Sequence, residues 1–279
     1  MNSRPPVIFR LTEADLDFLV AAAAPEVRDQ AGLRRLIRTD EDFRNSFLEE
    51  KSVLKKVLSD EEACLKISPR LYFEILLRQT RRELETTQYT VERTGTQKVA
   101  VFDAREVLDL LSRPEMLAYL AHMLSTFTRL ESYSLAVRVG RGSWRKIRFN
   151  DLDIDSLICC SEWVEEDYRL GFFKRIADIC LFILGLFPDF VRAQHRYPFS
   201  GELRPQLPGR ARRTLTDYEE EGKRFYQLAA EHPAASSLKL SGIFELLYGR
   251  FHVAPKPLNF MAEHYLHYQR RHLFGVYLH

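Results

Sequence analysis

The sequence predicts a mainly α fold of the α+β type, in which one or two small antiparallel β-hairpins pack on a multi-helix body. Apolar residues recur at helical spacing through most of the chain, as in the segment from Val53 to Leu58. Two segments, near residues 87–102 and 133–149, instead alternate apolar and polar residues around a turn that contains glycine. The 279 residues are enough to bury a full core without disulfides or a structural metal.

Capping residues indicate where the helices of the first third begin. Thr12 precedes Glu13 and Asp15, which is typical of a helix N-terminus. Pro69 follows Ser68 and suits the first turn of the next long helix. That helix has one apolar face, and its other face carries charged residues, namely Arg78, Arg81, Arg82, Glu83 and Glu85.

The second third contains the most apolar stretch of the chain, Ile176–Phe190. It is shorter than the roughly 20 residues that a bilayer requires. We expect it to be a buried helix, and we expect no contact with a membrane. Arg175 and Asp178 border this stretch three residues apart, and we interpret them as an ion pair that sets the register of the helix.

Composition divides the chain into three parts. We expect residues 1–190 to form the main body and residues 214–279 to form a helical C-terminal part. Between them, 191–213 is predicted to be a linker or loop, since 192–213 holds six arginines, three prolines and two glycines.

Charge and cysteine content limit the classes of protein. The formal net charge is +2, so any nucleic-acid role must depend on local patches of charge. None of the four cysteines lies in a CxxC pair, which is typical of a reducing compartment. Residues 1–10 lack the pattern of a secretory signal. We therefore expect a cytoplasmic protein.

Two clusters of basic residues are the candidate binding sites for an acidic partner, either a protein or a nucleic acid. Two helices precede the second hairpin, and this order resembles a winged helix domain, although the helix that would enter the groove, Pro114–Arg129, is mostly apolar. A merely solvated surface is the alternative for both clusters. The candidates are Arg138, Arg141, Arg145, Lys146 and Arg148 in the hairpin, and Arg204, Arg210, Arg212 and Arg213 in the loop.

Catalytic signatures are absent from the sequence, which contains no GxSxG, Walker A or HExxH pattern. This favours a non-catalytic protein with no cofactor and no metal. The alternative is a helical enzyme, or a metal- or cofactor-binding protein, whose site is assembled from distant residues. Its candidate residues are His122, Asp178, His264 and His267.

Two stretches carry resemblances to known proteins. Tyr218, Gly222, Phe225, Tyr226 and Ala229 follow a spacing that resembles one helix of a tetratricopeptide repeat, a family that stacks helix pairs into a peptide-binding groove. The segments 68–73 and 175–188 resemble bacterial proteins of unassigned function. These resemblances imply a bacterial source and supply no activity. The sequence as a whole predicts a bacterial interaction or regulatory protein, or a subunit of a complex, that binds an acidic partner.

Overall fold

The computed structural model describes residues 11–60, 62–87, 89–94, 97–101, 103–129, 132–140, 143–150, 152–189, 191, 213–266 and 273–274. These residues form two compact units. The first extends to Thr128 and also includes residues 263–266. The second extends from Arg129 to Ala262 and also includes Leu273 and Phe274.

The first unit contains eight described helices and one hairpin. Their bounds are α1 Glu13–Ala23, α2 Gln30–Thr39, α3 Glu41–Leu48, α4 Lys51–Ser59, α5 Ala63–Lys66, α6 Pro69–Thr87, β1 Thr90–Thr94, β2 Gln97–Val101, α7 Ala104–Leu111 and α8 Pro114–Thr126.

Capping by a buried carboxylate connects the start of the chain to α6. Thr12 and Asp15 form a reciprocal capping box, which satisfies backbone donors at the first turn of α1. The same Asp15 carboxylate accepts hydrogen bonds from the backbone N–H of Ser68 at 2.7 Å and from its hydroxyl at 2.8 Å. α6 then packs against α8, whose Leu117, Tyr119 and Leu124 are fully buried.

The second unit contains the other hairpin and the remaining described helices. Their bounds are β3 Ser132–Gly140, β4 Ser143–Asn150, α9 Ile154–Trp163, α10 Glu166–Leu186, α11 Leu215–Glu231, α12 Pro233–Ser237, α13 Ser241–Gly249 and α14 Pro255–His264, of which the last two residues belong to the first unit.

The core of the second unit forms around the apolar run of α10. Ile176, Cys180 and Phe182 are buried, and α10 packs along α11, which in turn packs on α13. Gly222 on α11 allows the two helices to approach closely, because a side chain there would meet Cys180 on α10. No helix of the described residues is long and apolar enough to cross a membrane.

The predicted α+β class is wrong, and the structure corrects it to a helical fold. The described strands form two separate two-stranded ribbons, β1–β2 and β3–β4, and no larger sheet. Apart from the pairing of strands within each ribbon, the extensive packing between described elements is packing of helix on helix, so neither ribbon forms a β layer on the helical body. Alternating residues in a short segment suffice for a ribbon, but a sheet layer needs three or more strands with a shared apolar face.

The boundary between the two units lies at Thr128, just before β3. The predicted division into 1–190 and 214–279, joined by 191–213, stays a prediction. Of that segment, only Val191 and Arg213 are among the described residues.

Candidate functional site

The basic hairpin, residues 132–150, consists of β3 and β4. Its backbones pair antiparallel, with Ser132 opposite Asn150 and Gly140 opposite Ser143. Directly opposed residues of such a ribbon share a face, and successive residues of a strand alternate between faces. The register therefore determines which of the predicted binding residues lie together.

This register separates the basic residues of the hairpin. Lys146 is opposite Ala136, Arg148 is opposite Ser134, and Arg138 is opposite Trp144, so Arg138, Lys146 and Arg148 share one face. Arg145 is opposite Val137 and falls on the other face, which it shares with the apolar positions 133, 135, 147 and 149. Arg141 lies outside the described residues. The hairpin thus has one basic face and one largely apolar face.

Arg213 belongs to an ion-pair cluster within the second unit. Its guanidinium donates to Asp155 at 2.6 Å and to Glu221 at 2.5 Å. Burial alone would lower the pKa of Arg213, but hydrogen bonds to the two carboxylates outweigh that effect and raise it. Arg213 therefore joins the start of α11 to the first turn of α9. Arg204, Arg210 and Arg212, the other predicted residues of the loop, lie outside the described residues.

Asp178 is fully buried, and the partners of its carboxylate include a tyrosine and a lysine. Tyr226 on α11 donates its hydroxyl at 2.8 Å, and Lys174 donates its ammonium one turn earlier on α10. The described hydrogen bonds join Asp178 to Lys174 and Tyr226, and the pair of Asp178 with Arg175 stays a prediction. The arrangement satisfies a buried charge and joins two packed helices, which is a structural role.

The described histidines of the alternative hypothesis lie on different helices. His122 lies half-buried on α8, and His264 is exposed at the end of α14. Both belong to the first unit, whereas Asp178 belongs to the second. His267 lies outside the described residues. No group of three or more His, Cys, Asp or Glu side chains that could hold a metal ion occurs in the described part of the chain.

A carboxylate in the first unit receives three arginines, an arrangement that sequence reasoning missed. Glu49 lies just after α3 and accepts from Arg78 at 2.8 Å, from Arg81 at 2.9 Å and from Arg82 at 2.9 Å. Glu74 accepts from Arg78 on its other side at 2.9 Å. The three arginines were visible in the sequence as a charged helix face, but nothing in the spacing shows that α3 covers that face.

Opposing effects determine the pKa of Glu49. Burial raises it, while the hydrogen bond from Arg78 and the charges of Arg78, Arg81 and Arg82 lower it. The arginines prevail, so the pKa of this carboxyl lies below the usual glutamate value and Glu49 is ionised at neutral pH. The group therefore attaches α3 to α6 electrostatically.

A second surface that the sequence analysis did not identify lies where α9 meets α10. We call residues 162–168 the acidic-aromatic corner. Trp163 and Tyr168 are 52% and 67% exposed. The carboxylates of Glu162, Glu165 and Asp167 lie exposed between and beside them, together with Glu166. The sequence shows a Trp and a Tyr five residues apart with four acidic residues nearby. Only the structure shows that the two aromatic residues are exposed and do not belong to the core.

The described structure belongs to the class of mainly helical proteins of two compact units. The comparisons with known proteins add no family to this class. No protein-family model, no curated protein and no solved structure matches the chain. The candidate surfaces must therefore be judged on their own chemistry.

Proposed function

We propose that this protein is a non-catalytic interaction or regulatory protein of the bacterial cytoplasm that binds an acidic partner through the basic face of the β3–β4 hairpin. The observation that carries the proposal is the register, which groups Arg138, Lys146 and Arg148 on one face. Along the ribbon the three positions follow one another at intervals of about 7 Å, with Arg138 on β3 opposite Trp144 and with Lys146 and Arg148 on β4. Three cations at that spacing suit a partner with a row of negative charges, such as a nucleic-acid backbone or an acidic protein segment.

The other face of the same hairpin is mainly apolar, apart from Arg145. Tyr133, Leu135, Ile147 and Phe149 alternate with the basic positions. The register therefore separates the basic positions 138, 146 and 148 from most of the apolar ones. Arg213 contributes less to this proposal, because its guanidinium already binds Asp155 and Glu221.

The test reverses the three charges of the basic face and measures binding to two acidic probes, a 20-nucleotide single strand and polyglutamate. We expect Arg138→Glu, Lys146→Glu and Arg148→Glu together to weaken binding of at least one probe by tenfold or more. For the oligonucleotide, each lost phosphate contact lowers the salt slope by about 0.7, so three contacts lower it by about 2. Fluorescence anisotropy at several salt concentrations gives both quantities.

Two controls separate a specific face from general attraction by positive charge. Arg35, Lys51 and Lys55 are exposed in the first unit, and reversing all three changes the net charge by the same amount. Arg145→Glu changes the other face of the hairpin. If either control weakens binding as much as the basic-face variant does, or if the wild-type protein binds neither probe, the proposal is wrong.

A further inference from the structure

The acidic-aromatic corner exposes two large rings that the fold leaves uncovered. Trp163 ends α9 and Tyr168 lies in the first turn of α10, so the two residues flank the short extended connection of Val164 and Glu165. More than half of each residue is accessible to solvent. Exposed aromatic residues grouped in one place are typical of interaction sites.

The charge around the rings is strongly negative. Among the four carboxylates at 162, 165, 166 and 167, Glu166 pairs with Arg169 at 2.7 Å. In the described part of the chain, Glu162, Glu165 and Asp167 have no ion pair. The corner therefore carries a local surplus of three negative charges in a protein whose net charge is +2.

The backbone of the corner is held in place from both sides. The Arg169 side chain donates to the carbonyl of Val164 at 3.4 Å. His232, which is buried, lies with its Nε2 2.9 Å from the carbonyl oxygen of Glu166. Its other ring nitrogen accepts the backbone N–H of Ala234 at 3.2 Å, so Nε2 is the donor. A surface that is already ordered loses little entropy when a partner binds.

Rings and unpaired carboxylates together define the chemistry of the partner. An anion is repelled by the carboxylates, and a purely apolar ligand would desolvate them without compensation. The guanidinium or ammonium groups of arginine and lysine satisfy both features, because they stack on aromatic faces and form charge-assisted hydrogen bonds with carboxylates. We propose that the acidic-aromatic corner is a docking surface for an Arg/Lys-rich segment of a partner protein.

The first test is a titration with a 12-residue peptide that holds four arginines separated by Gly and Ser, against a control peptide with citrulline at the four positions. The chain has two tryptophans, so Trp144→Phe leaves Trp163 as the sole indole fluorophore. We expect the arginine peptide to change the Trp163 emission with saturation, and the citrulline peptide to cause no saturable change. Equal binding of the two peptides, or no saturation with the arginine peptide, would overturn the proposal.

Matched variants then test the rings and the carboxylates separately by calorimetry. We expect Trp163→Ala and Tyr168→Ala each to weaken binding about three- to fivefold, the range for an exposed cation–π contact. Leu238→Ala removes a comparably exposed apolar side chain of the same unit and leaves affinity unchanged.

The paired substitution Glu165→Gln with Asp167→Asn weakens binding, whereas Glu219→Gln with Glu220→Gln, exposed acids on α11, does not. If the α11 pair weakens binding equally, the attraction is non-specific and the proposal fails. Sedimentation of the free protein tests whether the corner instead binds a second copy of this chain. If the protein dimerises and the corner variants abolish the dimer, the proposal is overturned.

Discussion

Lys239 occupies a backbone conformation that ordinarily favours glycine. Its φ is 58°, and it is the non-glycine residue with a positive φ among those that the structure describes. Its backbone N–H donates to the carbonyl of Ser236 at 3.0 Å, and that of Leu240 donates to Ala235 at 2.9 Å. These two bonds form the Schellman arrangement that ends α12, with lysine at the position where glycine is most common.

Replacing Lys239 with glycine should stabilise the second unit. A left-handed conformation costs an L-residue roughly 1–2 kcal/mol, and part of that gain is offset by the greater freedom of glycine in the unfolded chain. We expect Lys239→Gly to raise the free energy of unfolding by about 0.5 kcal/mol, measured by urea denaturation. Lys239→Ala is the control, since it removes the side chain but keeps Cβ. A glycine variant no more stable than the alanine variant would contradict the prediction.

Glu49 should stabilise the first unit in a pH-dependent way. Its pKa is lowered in the fold from a usual value of 4.5, so its contribution is complete above pH 4.5 and is lost as the pH falls through the folded value. We expect Glu49→Gln to cost about 2 kcal/mol at pH 7, because three arginines lose a charged acceptor. Denaturant unfolding at several pH values should show the cost shrinking below pH 4.5.

The adjacent Glu50 provides the control for this measurement. It is exposed and makes no ion pair among the described residues, so Glu50→Gln should change stability by less than about 0.5 kcal/mol at any pH. A Glu49→Gln cost that stays constant down to pH 3 would show that the charge of Glu49 is not what attaches α3 to α6.

The packing of α10 on α11 depends on a glycine at the point of closest approach. A Cβ added at Gly222 would lie 2.7 Å from Cε2 of Phe251 and 2.9 Å from Cβ of Cys180, both closer than real contacts allow. Tyr218, Phe225, Tyr226 and Ala229 complete the buried face of α11. The spacing that resembles a tetratricopeptide helix is thus the face that packs on α10.

Gly222→Ala should destabilise the second unit by about 1–3 kcal/mol, the usual cost of overpacking a core. Gly171→Ala on α10 is the matched control, because the added Cβ meets nothing within 4 Å apart from its chain neighbours and the backbone of its own helix. There, replacing glycine in a helix should stabilise by about 0.5–1 kcal/mol. Thermal unfolding followed by circular dichroism compares the two. If both substitutions shift the melting temperature in the same direction, the close approach of α10 and α11 at Gly222 is not what makes glycine necessary there.

Opposite charges are concentrated in different parts of a nearly neutral chain. The basic face of the hairpin and the acidic-aromatic corner both belong to the second unit, and their opposite charges largely cancel in the net charge of +2. Because salt screens charges that are exposed to solvent, binding at either surface should weaken as ionic strength rises. Burial of the Glu49 cluster makes its contribution much less sensitive to salt.

Local sequence patterns were sufficient to predict where many of the helices lie. Thr12 with Asp15 and Pro69 after Ser68 indicated where helices begin, because a cap depends only on residues three or four positions apart. The apolar run at 176–190 indicated a buried helix from its composition alone, and its residues 176–186 lie in α10. The overall class was mistaken, since alternation predicts a ribbon but does not show whether other strands or helices will cover it.

The sequence by itself determined the positions of most helices, the low net charge and the local arginine clusters. Only the tertiary structure decided which charged groups meet, because such contacts join residues far apart in the chain. Glu49 meets arginines about 30 positions away, and Asp155 meets Arg213 across 58 positions. It also decided that Trp163 and Tyr168 are exposed, while other tyrosines such as Tyr119 and Tyr226 are buried. Burial depends on what packs against a residue, and no local spacing contains that information.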